Sequence, residues 1–245
     1  MLKNHSDPLM ISASHNPHQL LPFVLQPIMN IAQRTVYGYE ILYRGIPPQK
    51  WADIDVSVIR FLQTLKTPTL EYFVNVANDS LLSLQDDEFL VSAKHANVHF
   101  ELSEVFTSHT DFDAVVSRVN SLAAKGVRFA LDDFGAGMDG LLRLYSLKSK
   151  VAAIKIDRQF MLKTEKSPEG TEVLKSLIAR WKENGVTTIA EGIESAEMLE
   201  FATACGADMA QGYLVDEVFR DTKIVEQIQF LPTTMKAIKH ETAYR

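Results

Sequence analysis

From Leu20 onward, short β-rich runs alternate with helical patterns, and eight strands can be counted. The first two, LLPFVLQPI and VYGYEILYR, are joined by the short polar link AQRT. That link is too short for a parallel crossover, so an antiparallel hairpin is expected. The other six read EYFVNVA (71–77), VHFELS (98–103), VRFALD (127–132), VAAIKID (151–157), VTTIAEG (186–192) and DMAQGYL (208–214), and Val, Ile and Phe recur in them.

Amphipathic helices fit between these runs. DIDVSVIRFLQTLK places Ile54, Val58, Phe61, Leu62 and Leu65 on one face. DFDAVVSRVNSLAAKG does the same with Phe112, Val115, Val116, Val119 and Leu122, ahead of Gly126. EGTEVLKSLIARWKENG repeats the pattern with Leu174, Leu177, Ile178 and Trp181, and ends on Gly185, where a helix C-terminal glycine is favoured. Eight strands alternating with helices match a (β/α)8 barrel, an α/β fold of about 250 residues. The rival open, doubly wound sheet would usually carry a G-x-G-x-x-G turn after its first strand, and the sequence has none. The expected organisation is a flexible tail over residues 1–19 and a single barrel domain over 20–245.

Composition narrows the function classes. Hydrophobic residues make up 46% and charged residues 23% of the 245, which is globular. Lys plus Arg number 25 against 31 Asp plus Glu, a net charge of −6, so the basic footprint of a duplex-binding protein is missing. Cys205 is the single cysteine and cannot form an internal disulfide. No apolar run is long enough to span a bilayer, and MLKNHSDPLMISASHNPHQ lacks the apolar stretch of a signal peptide, so a cytoplasmic protein without membrane partners is expected.

The chemistry is carried by polar residues near the strand ends. An acid or amide buried there is costly unless it has a partner or a task. In chain order they are Gln26, Glu40, Asn75, Glu101, Asp132 with Asp133, Lys155 with Asp157, Glu191, and Gln211. In a barrel these ends converge on one mouth. Singly, each reads as a cap or an ion-pair partner; together, so many acids with so few cations call for a compensating divalent metal. An oxygen-only ligand set selects Mg²⁺ or Mn²⁺ over zinc. His95 and His99 lack the Glu of H-E-x-x-H and read as surface residues.

Acids that hold hard metals, beside a lysine, suit phosphoester chemistry. Lys155 and Asp157 share strand parity, whereas adjacent Asp132 and Asp133 must diverge unless the strand is ending there. The segment DDFGAGMDG, with its three glycines, reads either as that ending and part of the site or as a simple βα turn. No H-R-D loop or P-loop is present, which excludes a protein kinase and a P-loop enzyme.

In order and spacing, YEILYRG, FVNVAN, FELSE, ALDDFGAG, IKIDRQF, IAEGIE and QGYL resemble the EAL-domain cyclic di-GMP phosphodiesterases. The likeness runs from about Leu21 to Leu214. It implies a (β/α)8 TIM-type barrel with one antiparallel strand, and hydrolysis of cyclic di-GMP to linear pGpG. It also implies two ions of Mg²⁺ or Mn²⁺ and a homodimer. A cyclic di-GMP receptor without turnover, or a protein-interaction regulator, are the alternatives within the family.

Residue by residue, the resemblance implies that Glu40, Asn75, Glu101 and Asp132 hold one metal, and that Asp132, Asp133 and Glu191 hold a second. Lys155 resembles the lysine that orients the attacking water. Gln211 matches a glutamine near metals and water, and Glu104 the glutamate that anchors the loop after DDFG. Gln26 and Arg44 resemble dinucleotide contacts, while Asp157 and Glu194 match further active-site acids. The departures lie outside this set: Ile41 replaces the alanine of the signature tripeptide, Gly45 stands where tryptophan is common, and Val218 where proline is usual. The loop reads GAGMDG where an aromatic and serines are usual, and the link from it to IKID is about two residues longer.

Overall fold

The computed structural model describes residues 10–12, 20–44, 51–63, 69–102, 109–137, 144–147 and 151–220. Among the described residues, nine strands form one sheet: β1 (Met10–Ser12), β2 (Leu20–Asn30), β3 (Thr35–Tyr43), β4 (Glu71–Val76), β5 (Asn97–Leu102), β6 (Arg128–Phe134), β7 (Val151–Ile156), β8 (Thr187–Ala190) and β9 (Met209–Gln211). Their spatial order follows the sequence, and β2 also pairs with β9, which closes β2 to β9 into an eight-stranded barrel. β2 runs antiparallel to all three strands it pairs with, β1, β3 and β9, while β3 to β9 are parallel throughout. The expected barrel with one antiparallel strand is therefore the observed fold.

The helices are α1 (Trp51–Leu62), α2 (Asn78–Ser83), α3 (Asp86–His95), α4 (His109–Ala124), α5 (Arg158–Glu165), α6 (Pro168–Glu183), α7 (Ala196–Cys205) and α8 (Tyr213–Phe219). Their starts are written in the sequence. Ser167 accepts from Gly170 N at 3.0 Å, with Pro168 entering the first turn of α6. Ser195 caps α7 in the same way through Met198 N. The faces expected to be apolar do pack inward: Val58, Phe61 and Leu62 of α1, Val115, Val119 and Leu122 of α4, and Leu174, Ile178 and Trp181 of α6 are all buried.

Strand periodicity creates two cores. One lies between strands and helices and includes Val74, Phe100, Leu131 and Ile154. The other is the inner cluster Ile28, Phe73, Ala130, Ala153, Ile189 and Met209, with Tyr37 packed against it. Side chains two residues apart share a strand face. Each member of the inner cluster is therefore followed, toward the mouth, by a polar residue: Gln26, Asn75, Asp132, Lys155, Glu191 and Gln211 respectively. The apolar layer is the floor on which the polar layer stands.

One expectation is corrected here. His99 is 3% exposed, not a surface residue. It stacks on Phe73 with ring centroids 4.5 Å apart and bonds Glu71 Oε2 through Nε2 at 2.9 Å, a carboxylate that Arg128 also holds at 3.0 Å. Its parity puts it in the same inward row as Glu101, and burial pulls its pKa below the ordinary 6.5. His95, by contrast, is exposed. Within the segment expected as a tail, Met10–Ser12 pairs with β2, Met10 opposite Val24 and Ser12 opposite Leu20; the rest of residues 1–19 lies outside the described residues.

Candidate active site

The polar layer is organised by one cation. Lys155, 1% exposed, sits on β7 with Nζ 2.8 Å from Glu101, 2.9 Å from Glu191, and 3.1 Å from both Glu40 and Asp132. Register assembles the set: Asn75 lies opposite Glu101 across β4 and β5, and Gln26 opposite Glu40 across β2 and β3. Backbone bonding beyond the strand ends continues the pattern, because Glu191 N donates to Ile156 O at 3.1 Å.

Glu40 is tied on both oxygens. Asn75 Nδ2 donates to Oε1 at 3.0 Å, and Gln211 Nε2 to Oε2 at 2.6 Å. Gln211 also donates to Gln26 Oε1 at 3.2 Å, and Gln26 Nε2 donates to Asp216 Oδ2 at 3.1 Å. Asp216, in the first turns of α8, was not legible as a site residue. The one sequence signal was an acid five residues after Gln211 in a short helix that leaves the mouth.

The two adjacent acids of β6 do not diverge as ordinary strand neighbours would. Asp133 has φ +52°, in the left-handed region, and the β6–β7 register shifts between Leu131 and Phe134. The strand continues through both acids to Phe134. As a result Asp132, Asp133 and Glu191 each offer a carboxylate oxygen, all within 4.8 Å of one another. Aspartate tolerates the left-handed region better than most residues do.

Electrostatics define what the cluster lacks. Burial would lower the Lys155 pKa, yet Glu101, Glu40, Glu191 and Asp132 push it well above 10.5, so the ammonium is fixed. Burial also raises Glu40, but Lys155 and the Gln211 hydrogen bond outweigh it and leave that carboxyl below its usual range. Glu101 goes the other way, raised well above 4.5 by burial and then by Glu40, in spite of its own contact with Lys155. Glu191 is raised to about 8 by burial, with Asp132 adding to it against Lys155. One ammonium does not compensate four carboxylates, and the repulsion left over falls on Glu101 and Glu191. A divalent cation is what would relieve it, and Glu101 Oε2 is buried with no hydrogen-bond partner. The donor set therefore fits hard metal ions.

The remaining candidates stand outside this cluster. Asp157 caps α5, accepting from Phe160 N at 2.8 Å. Glu194 is exposed and pairs with Arg158 at 2.6 Å. Arg44 is exposed at the end of β3, within electrostatic reach of Asp216. Glu104 and the loop around Met138 lie outside the described residues.

A tight backbone join holds β8 and β9 in step. Ile193 N donates to Gln211 O at 2.9 Å, and Leu214 N returns to Ile193 O at 2.9 Å. Gly212, at φ +144°, permits it: a Cβ there would fall 2.3 Å from Ile193 N.

Comparison with known proteins agrees with this architecture. The sequence profile of the EAL domain matches residues 56–217. The probable cyclic di-GMP phosphodiesterase PdeG of Escherichia coli (strain K12) is 25% identical over 231 residues, covering 81% of this chain and 44% of the relative. The cyclic di-GMP phosphodiesterase RocR of Pseudomonas aeruginosa is 33% identical over 119 residues, 49% of this chain and 30% of RocR. The chain thus spans less than half the length of these relatives. Klebsiella pneumoniae BlrP1, in a manganese/cy-diGMP complex, superposes with a TM-score of 0.64 at 23% identity over 84% of this chain and 58% of that one. The barrel, its single reversed strand and the profile match together place this chain in the EAL domain family.

Proposed function

We propose that this chain is a metal-dependent phosphodiesterase that hydrolyses cyclic di-GMP to linear pGpG. The observation that carries the reading is the gathering of Glu40, Glu101, Asp132 and Glu191 around Lys155 at the mouth, with Asp133 within reach of Asp132 and Glu191. The names of the relatives supply the substrate.

In this reading Glu40, Asn75, Glu101 and Asp132 hold one Mg²⁺ or Mn²⁺, and Asp132, Asp133 and Glu191 hold another. Bound there, the ions supply neutralisation of phosphate charge and a lowered pKa for the attacking water. Lys155, permanently charged, orients that water and stabilises the developing charge at the phosphorus. Glu191, with its pKa near neutrality, is a metal ligand or takes the proton. The buried, unpartnered Oε1 of Gln211 is an acceptor for the same water. Gln26 and Arg44 contact the dinucleotide, and Asp157 and Glu194 shape the rim from α5 and the loop after β8. A homodimer belongs to the same proposal, and sedimentation would test it.

The test is incubation of purified protein with cyclic di-GMP and Mg²⁺ or Mn²⁺, with EDTA and Glu40→Ala controls, followed by chromatography of the nucleotides. Metal-dependent pGpG that disappears in both controls is the expected result. Tight binding without product would make the protein a receptor. No binding in the presence of metal would leave an interaction scaffold.

A further inference from the structure

The hydrogen-bond chain at the mouth does not end at the acids facing the metals; it continues outward to α8. Gln211 Nε2 donates to Glu40 and to Gln26 Oε1, and Gln26 Nε2 donates to Asp216 Oδ2. An ionised carboxylate only accepts, and the Gln211 amide nitrogen only donates. Held between the two, the Gln26 amide has one self-consistent orientation, with its oxygen toward Gln211 and its nitrogen toward Asp216. The flipped amide would set oxygen against carboxylate and nitrogen against nitrogen.

We infer that Asp216 is a positioning residue for the substrate: it fixes the Gln26 amide so that a second N–H is available to a phosphate oxygen of the dinucleotide. This rests on the hydrolase reading above. Three observations support it. Asp216 Oδ1 is buried and without a hydrogen-bond partner, so the carboxylate is held in place without being fully satisfied by the protein. Asp216 also feels the positive charges of Arg220 and, after it, Arg44, which places it at the same edge of the mouth as the second candidate substrate contact. Finally, no ion pair joins Asp216 to the Lys155 cluster among the described residues, so its removal leaves the four carboxylate contacts of that lysine intact.

A bare carboxylate beside an anionic ligand repels it. Charge alone therefore predicts that Asp216→Ala binds the dinucleotide more tightly; positioning predicts the reverse. The experiment is equilibrium titration with cyclic di-GMP in Ca²⁺, with nucleotide integrity checked by chromatography, on wild type, Asp216→Ala, Asp216→Asn, Gln26→Ala and Asp216→Ala/Gln26→Ala. Steady-state kinetics in Mg²⁺ and thermal melts accompany it. The expected result is a Kd and KM about tenfold higher in Asp216→Ala, the scale of one lost charge-assisted hydrogen bond, with kcat within about twofold and an unchanged melt. Asp216→Asn, which keeps an acceptor oxygen, recovers most of the affinity. In the Gln26→Ala background, Asp216→Ala has no further effect.

Unchanged or tighter binding by Asp216→Ala, or effects that simply add in the double variant, overturns the inference while leaving the hydrolase reading intact. Wild-type protein that fails to bind the dinucleotide removes that reading and this inference with it.

Discussion

Gln211 Nε2 reaches Glu40 Oε2 at 2.6 Å although the two residues sit on β9 and β3, which flank β2 on opposite sides. The contact spans the reversed strand and locks the seam where the barrel closes. Glu40 thereby gains a donor on each oxygen, and Lys155 adds a positive charge. Truncation of Gln211 to alanine removes a charge-assisted bond worth about 1.5–3 kcal/mol. We expect kcat to fall about tenfold to a hundredfold with little change in KM, as measured by steady-state pGpG formation.

The raised Glu191 carboxyl makes stability depend on pH in a direction that metal should erase. Its folded pKa of about 8 lies above the ordinary 4.5, so the folded state binds the extra proton between those values. That contribution is fully present below about pH 4.5 and is lost as pH rises through about 8. In EDTA, thermal melts should therefore fall across this window. With Mn²⁺ the fall should flatten, and Glu191→Gln should reduce it without metal, the raised Glu101 carboxyl supplying what remains.

Asp133 is held at φ +52°, so its role as an acid and its role in the backbone can be separated. Alanine in the left-handed region costs about 1–2 kcal/mol, a penalty that glycine escapes. Asp133→Ala should lose stability and metal affinity together. Asp133→Gly should recover the melting temperature but not the metal affinity, read by calorimetric titration with Mn²⁺. Equal stability of the two variants would show that the backbone there carries no strain.

At the other end of the barrel, His99 supplies a slope of opposite sign. Burial depresses its pKa, and the Glu71 bond only partly offsets this. Its contribution to stability is present above the ordinary 6.5 and lost as pH falls through the lower folded value. Glutamine can keep a donor toward Glu71 without titrating. The difference in stability between wild type and His99→Gln should accordingly narrow as pH drops below 6.5, measured by chemical denaturation at each pH.

What could be read from the chain was what repeats. Phe73 with Asn75, Ala153 with Lys155, and Ile189 with Glu191 each place an apolar and a polar residue at strand spacing, so the barrel and its mouth both follow from period two. Asp133 broke that period through a backbone dihedral that no residue pattern announces. His99 was misread because its partners, Glu71 and Arg128, come from neighbouring strands and only meet it once the sheet has formed. Asp216 was silent for a similar reason, since its partner Gln26 is 190 positions away. The short β1 had too few residues for any periodicity to show.

The reversed strand also decides where the polypeptide arrives. In an all-parallel barrel the chain enters the first strand at the end remote from the chemistry. Here β2 begins at the mouth, and Gln26 follows Leu20 by six residues, about 20 Å of extended chain. The pairings of Leu20 and Val24 with β1, and of Phe23 and Val24 with β3, therefore lie on the same strand as the Gln26 amide, which meets Gln211 and through it Glu40.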